Sequence, residues 1–434
     1  MTLNPEIMQA VEHLNYRVTV GDVAAQAGLE IHLAEQGLLA LAADTGGHLQ
    51  VAESGEIAYL FPKEFRSILR NKYFRLQLQE WWQKIWKILF YLIRISFGIV
   101  LIASILLIFI TIFVIVMAAS ASRDSDSNDS GDSSIGMPNI WIGPDFFWMF
   151  TPDYYDRRKD DRRKRPTEDR QLNFLEAVFS FLFGDGNPNH NLEERRWRAI
   201  GTVIRNHRGA VVAEQIAPYL DELGQGYAQE YEEYMLPVLT RFNGRPEVSP
   251  EGDIIYQFPD LQTSATEQRR RSIAAYLQEL PWRFSQATTG QRTLAIGLGV
   301  LNLGGAVWLG YLLAGGQVAA ELGGLVAFVQ SIFWVLLGYG VAFLAIPIGR
   351  FLWLRWQNRK IATRNQERQA RATQLETIDD RLQKKLSYAE QFAATTVIDQ
   401  NDLAYTTERD LIEQDIENVD KIDAEWQRRL SQGQ

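Results

Sequence analysis

The 434-residue sequence contains no cysteine, which removes disulfides, thiolate-bound zinc, cysteine-ligated iron-sulfur clusters and thiol catalysis together. Histidine is scarce too. His13, His32, His48, His190 and His207 are the only five, and none are set at HxxxH or HExxH spacing, so a zinc site is not expected. No Walker loop, G-x-S-x-G elbow or dinucleotide fingerprint stands beside a suitable strand. GLGVLNLGG at 297–305 lies inside an apolar run, where small residues serve helix packing. Two acidic stretches imitate calcium loops and fail: counted from Asp124, positions six and twelve are Asp129 and Ile135, and counted from Asp185 they are His190 and Arg196. Basic charge is short, 44 Lys plus Arg against 53 Asp plus Glu for a formal net charge of −9, so general attraction to nucleic acid is not expected. The sequence therefore offers no catalytic, cofactor-binding or metal-ligating residue, and is read as non-enzymatic, without a cofactor.

What is abundant is apolar length. The mean hydropathy of −0.17 hides it by averaging very apolar blocks with very charged ones. Residues 95–122 read ISFGIVLIASILLIFITIFVIVMAASAS, 28 residues without a charge, where a helix needs about 20 to cross the hydrocarbon. Further spans are expected at 294–314 and 322–348, joined by the turn GGQVAAELGG. The first 20 residues carry Glu6, Glu12 and Arg17 and no apolar h-region, so no cleaved signal is expected. Basic residues from Lys63 to Arg94, from Arg269 to Arg292 and from Arg350 to Lys360 place the amino terminus and both outer ends of the hairpin inside. Three crossings cannot satisfy that rule. Either one flank faces the other compartment, or the chain returns through IWIGPDFFWMF (140–150) or NFLEAVFSFLF (173–183). The latter reads as an interfacial amphipathic helix capped by Asn173 and Glu176.

An internal repeat is the sharpest signal. Residues 51–62 read VAESGEIAYLFP and 248–259 read VSPEGDIIYQFP. The shared positions are Val51, Gly55, Ile57, Tyr59, Phe61 and Pro62, then Val248, Gly252, Ile254, Tyr256, Phe258 and Pro259, at a constant offset of 197. Alternating Ile, Tyr and Phe predict a half-buried strand, with the glycine in the hairpin turn before it; these residues are structural, core and turn. Upstream, PEIMQAVEHL, TVGDVAAQAG and EIHLAEQGLLALAAD read as three helices, and RRWRAIGTVIRN, VVAEQIAPYL and GYAQEYEEYMLPVLTRF follow the same order. Three helices and a hairpin wing resemble a winged helix, whose usual work is DNA binding. The charges oppose that work: residues 1–62 hold one basic side chain, Arg17, against eight acidic, and 192–260 hold seven against twelve. Such surfaces repel phosphate.

The division expected is a winged-helix-like module at 1–62, a basic juxtamembrane helix at 63–94 and a transmembrane helix at 95–122. A disordered or interfacial linker at 123–170 and an interfacial helix at 171–190 precede the second module at 191–262. A connecting helix at 263–293 leads to the spans at 294–314 and 322–348 and a charged helical tail at 350–434. The linker carries RDSDSNDSGDSS and the charged run DRRKDDRRKRP, which suits a solvated linker or anionic headgroups. In the tail, Leu375, Ile378, Leu382, Leu386 and Ala389 form one apolar stripe and Leu411, Ile416, Val419, Ile422, Trp426 and Leu430 another, suggesting an antiparallel helical hairpin or a partner-binding face. The fold class expected is a mainly α membrane protein with two winged-helix-like α+β modules and a C-terminal helical hairpin.

The paired modules, FLEAVFSFLFGDGNPN at 174–189 and the following LEERRWRAIG resemble an uncharacterised membrane protein family of cyanobacteria and plant chloroplasts. The resemblance spans Asn173 to the membrane hairpin and implies a thylakoid or plasma membrane. Some members carry an iron-sulfur biosynthesis label, which the absence of cysteine does not support. The function expected is a membrane-anchored protein-interaction scaffold or assembly factor, its partners the lipid bilayer and a protein, with the modules on the cytoplasmic face. The alternatives are a membrane-tethered transcriptional regulator and a small transporter or channel.

Overall fold

A computed structural model describes residues 4–72, 74–123, 173–267, 270–314, 321–377, 379–399, 403–417 and 419–431. The linker expected at 123–170, with IWIGPDFFWMF and DRRKDDRRKRP, lies outside the described residues beyond Arg123, as does most of the turn between the second and third spans. The chain opens with Pro5–His13 (α1), Arg17–Thr19 (β1), Val20–Ala27 (α2), Ile31–Thr45 (α3), His48–Ala52 (β2) and Ile57–Leu60 (β3). Phe65–Lys72 (α4), Phe74–Arg123 (α5) and Phe174–Phe183 (α6) follow. The second repeat comprises Leu192–Asn206 (α7), Ala210–Val211 (β4), Ala213–Ile216 (α8), Tyr227–Glu230 (α9), Leu236–Phe242 (α10), Arg245–Val248 (β5) and Ile254–Gln257 (β6). Pro259–Gln262 (α11), Thr263–Ser264 (β7), Thr289–Leu313 (α12) and Gly324–Glu376 (α13) come next. The tail holds Asp380–Glu390 (α14), Thr396–Val397 (β8), Leu403–Thr406 (β9), Leu411–Glu417 (α15) and Val419–Ser431 (α16).

The protein is thus mostly helical with small sheets, and it divides into two compact units. One comprises Met1–Gln79, Asn189–Leu280 and Lys360–Gln434, and the other Glu80–Pro188 and Pro281–Arg359. In the first unit both repeats form antiparallel sheets, ordered β1-β3-β2-β9 and β4-β6-β5. Val11, Val18, Val23, Leu38, Tyr59 and Phe61 build one core, and Ile200, Ile204, Val211, Ile216, Phe242, Tyr256 and Phe258 the other. Helix α2 starts at a reciprocal cap, Thr19 N donating to Asp22 Oδ2 at 2.9 Å and Asp22 N to Thr19 Oγ1 at 3.1 Å.

In the second unit, three helices among the described residues are long and apolar enough to cross a membrane: Lys84–Ser120 within α5, α12 and α13. Glycines bring them together. A Cβ at Gly299 would meet the Phe343 ring at 2.6 Å, one at Gly310 the Phe333 ring at 2.6 Å, and one at Gly305 the Ile108 side chain at 3.0 Å. Buried Asn302 bonds the Ser104 hydroxyl across α12 and α5.

Several expectations need correction. The segment at 263–293 is not a helix: between β7 and α12 its described residues are non-helical. Asparagine carboxamides hold its extended backbone, Asn365 bonding Glu279 N and O at 2.9 Å each, and Asn358 bonding Trp282 N and O at 2.8 and 2.9 Å. Those bonds replace the helical ones, and Pro281 removes a donor. Helix α6 packs its apolar face against the span helices, with Val178, Phe181 and Leu182 buried among Leu101, Leu298 and Phe343. The juxtamembrane stretch takes up α4 and the start of α5, and α5 runs on as the first span. The tail forms no helical hairpin between its two stripes, because α14 lays Leu382, Leu386 and Ala389 against Val212 and Ile255 of the second repeat. Strands β8 and β9 then intervene, β8 parallel to β7 and β9 antiparallel to β2.

Candidate functional site

The twelve repeat residues occupy equivalent places in two hairpins. Val51 pairs with Ile57 and Val248 with Ile254, each closing its hairpin. Gly55 and Gly252 take the turn at φ +85° and +86°, a left-handed conformation that a side chain resists. The same two bonds close both turns, Gly55 N to Ala52 O and Gly252 N to Ser249 O at 2.9 Å, then Ala52 N to Glu56 O and Ser249 N to Asp253 O at 2.8 Å. Tyr59 and Phe61, like Tyr256 and Phe258, are buried. Pro62 follows β3, and Pro259 starts α11. The repeat extends further than the motif: a Cβ at Gly47 would meet the Phe61 ring at 3.0 Å, and one at Gly244 would meet the Phe258 ring. The same offset of 197 links these glycines, so the sequence did carry that signal.

The two repeats are joined by a close seam. A Cβ at Gly201 on α7 would lie 2.9 Å from Ala25 Cα on α2, so the helices touch backbone to backbone. Asp22, 2% exposed, accepts from Arg205 Nη2 at 2.5 Å, Ala265 N at 2.9 Å and Ser264 Oγ at 3.1 Å besides its own cap. Arg241 stacks over Trp197, 4.4 Å from the ring centroid, and donates to Gly28 O at 2.9 and 2.7 Å. At the edge of the seam, burial and a hydrogen bond donated to Glu194 push the Glu6 carboxyl above its usual range. No sequence pattern marks these partners, because they are brought together only by packing.

Charged residues of α13 and α14 fasten the second repeat. Arg364 holds Glu279 with two bonds at 2.8 and 2.6 Å, and buried Arg368 reaches Glu279 at 2.8 Å and Asp221 as well. Arg196 also pairs with Asp221. Burial alone would raise both carboxyls, but Arg364 and Arg368 on Glu279, and Arg368 and Arg196 on Asp221, hold them below the usual range. Lys385, almost fully buried, bonds Glu214 at 3.0 Å twice and Glu232 at 2.7 Å, while the hydroxyl of the repeat tyrosine Tyr256 donates to Glu232 at 2.7 Å.

Outward faces carry apolar residues among carboxylates. Leu39 on α3 and Leu236 on α10, again 197 apart, are 44% and 59% exposed. On α15 and α16, Ile412, Ile416, Trp426 and Leu430 are all more than half exposed. Among the described residues, no group of three or more His, Asp or Glu could hold a metal ion. The chemistry these residues present is hydrogen bonding, charge and apolar surface.

No family model matches the chain, and no solved structure matches it. A protein of Arabidopsis thaliana, "Uncharacterized protein At5g03900, chloroplastic", is 38% identical over 438 residues, covering 98% of this chain and 82% of the relative. The similarity therefore takes in both repeats, the apolar helices and the tail, well beyond the stretch from Asn173 to the membrane hairpin. The chain belongs to the family of this chloroplastic plant protein.

Proposed function

We propose that this protein is a membrane-anchored, non-catalytic scaffold or assembly factor that docks a protein partner through its soluble unit. The observation that carries the reading is the exposed apolar stripe of α15 and α16, where Ile412, Ile416, Val419, Trp426 and Leu430 face solvent on helices that hold six Asp or Glu against three Lys or Arg. Exposed apolar residues grouped in this way mark contact surfaces. The excess of carboxylates, which lies on α15 with Glu413, Asp415 and Glu417, disfavours an anionic bilayer and favours a partner with basic groups opposite α15.

The helix-strand-helix-helix-hairpin order of the first repeat, which the second follows with the short helix α9 added, and the pairing of first strand to last in both, support two winged-helix-like modules. In that reading α3 and α10 occupy the recognition position. Helix α3 carries Glu35 and no Lys or Arg, which favours protein contact over duplex reading. Membership of both repeats in one compact unit favours their lying on one side of the membrane, the cytoplasmic or stromal side by the charge rule. The chloroplastic relative and the three apolar helices favour a thylakoid or plasma membrane of a photosynthetic cell.

The test is affinity purification of the full chain from mild detergent, beside the variant Ile416→Asp/Trp426→Glu. A stoichiometric protein partner that the variant loses is expected. Recovery of none, or equal recovery with both chains, overturns the reading. A membrane-tethered transcriptional regulator is the runner-up on element order alone, and salt-sensitive duplex binding in a gel shift would favour it.

A further inference from the structure

Beside the seam of the two repeats lies an open cleft of about 220 Å3, walled by Thr202, Arg205, Arg208, Ser264, Arg270 and Arg271 with no Asp or Glu in its lining. Four guanidinium groups around so small a space contrast with a chain whose net charge is −9. Two are already engaged. Arg205 pairs with Asp22 at 2.5 Å, and Arg271 bonds the Gln26 side chain. Arg271 is also fixed through its backbone, its N–H donating to Asn206 Oδ1 at 3.1 Å and its carbonyl accepting from Asn206 Nδ2 at 2.9 Å. Arg208 and Arg270 have no carboxylate partner among the described residues, so the cleft keeps two uncompensated positive charges.

Arg208 occupies its place against a local preference. It stands at φ +56° in the turn before β4, where the first repeat has Asn15 at φ +60° in the turn before β1. Asparagine tolerates that left-handed conformation and arginine does so less readily. The shared turn therefore belongs to the fold, whereas the arginine in it does not. Its side chain lines the cleft.

We infer that this cleft binds the phosphate group of a small molecule. A phosphate dianion matches the two free cations in charge, and its several oxygens suit planar guanidinium forks, which bond them in pairs. A single carboxylate would satisfy one fork and leave the other. The Thr202 hydroxyl, which donates to Arg198 O at 2.7 Å, has its lone pairs for neighbours and leaves donation at the cleft to the arginines. The volume admits a phosphate with a small organic part. This site stands independently of the docking surface on α15 and α16.

The test is calorimetric titration of the full chain in neutral detergent at low ionic strength. The probes are inorganic phosphate, pyrophosphate and dihexanoyl-phosphatidylglycerol below its micellar concentration. Saturable binding near one per chain is expected, weakened about tenfold by Arg208→Ala and again about tenfold by Arg270→Ala. Among the described residues neither guanidinium supports the fold through an ion pair, so both variants should keep the thermal midpoint of the parent, which is measured beside the titration. Binding of the two inorganic probes assigns a soluble phosphate, and binding of the lipid alone assigns a headgroup; both support the site. No saturable binding of any probe, or binding untouched by the two substitutions in folded protein, overturns it.

Discussion

Arg205 Nη2 lies 2.5 Å from Asp22 Oδ1, and this pair ties the second repeat to the cap of α2 in the first. Asp22 is 2% exposed and gathers donors from Thr19, Ala265, Ser264 and Arg205, so its charge is solvated by the seam itself. Removing one partner of a buried pair leaves the others unsatisfied. Asp22→Ala should cost about 3–5 kcal/mol in thermal unfolding of the detergent-solubilised chain. The double variant Asp22→Ala/Arg205→Met should lose less than the sum of the singles, since the stranded cation is gone. Additive losses would show that the pair does not couple the repeats.

The two repeat tyrosines provide a matched comparison. Tyr256 donates to Glu232, which also holds Lys385, while Tyr59 stands at the equivalent place in the first hairpin, where its hydroxyl makes no such bond among the described residues. Tyr256→Phe should cost about 1.5–3 kcal/mol, the range for a hydrogen bond to a charged group, and Tyr59→Phe about 0.5 kcal/mol or less. Equal costs in chemical denaturation would mean that the Glu232 network adds nothing to the second module.

The hairpins were legible because a period-two apolar pattern and a turn glycine are local facts, and the chain states them twice. The spans were legible from length alone. The tail was not: LAYT at Leu403–Thr406 is four residues long, and only the open edge of β2 makes it a strand. Its helical stripe at Leu382, Leu386 and Ala389 was visible, but periodicity names a buried face without naming what covers it. The segment GYAQEYEEYMLPVLTRF reads as one helix and is broken at Glu232, which sits at φ +52° before Leu236 and Pro237 restart the helix as α10. The seam and the arginine cleft join residues far apart in sequence, and no spacing rule reaches them.

Glycine at 47 and 244 is predicted to be a packing requirement. A methyl at Gly47 would press on the Phe61 ring from 3.0 Å, and one at Gly244 would overlap the Phe258 ring outright. Overpacking costs about 1–3 kcal/mol. Gly244→Ala should therefore destabilise more than Gly47→Ala, and Phe258→Leu should recover part of the loss at 244. Urea midpoints check the order; the reverse order would remove this equivalence from the repeat.

Acid and base should act on different contacts of the first unit. Glu279 and Asp221 are held below the usual carboxylate range, so their contribution is complete above that range and is lost as pH falls through the lowered values. Glu6 is pushed up by burial and by Glu194, so its contribution is complete below the usual range and is lost as pH rises through the raised value. Thermal midpoints from about pH 3 to about pH 8 check both signs. Glu279→Gln should be most damaging near neutrality, where it releases Arg364 and Arg368, and its deficit should shrink on acidification. Glu6→Gln should do the reverse, gaining on the parent protein as pH rises, because a neutral carboxamide keeps a hydrogen bond to Glu194 without a second negative charge. Parallel curves for Glu6→Gln and the parent would show that the contact between Glu6 and Glu194 carries no proton-linked stability.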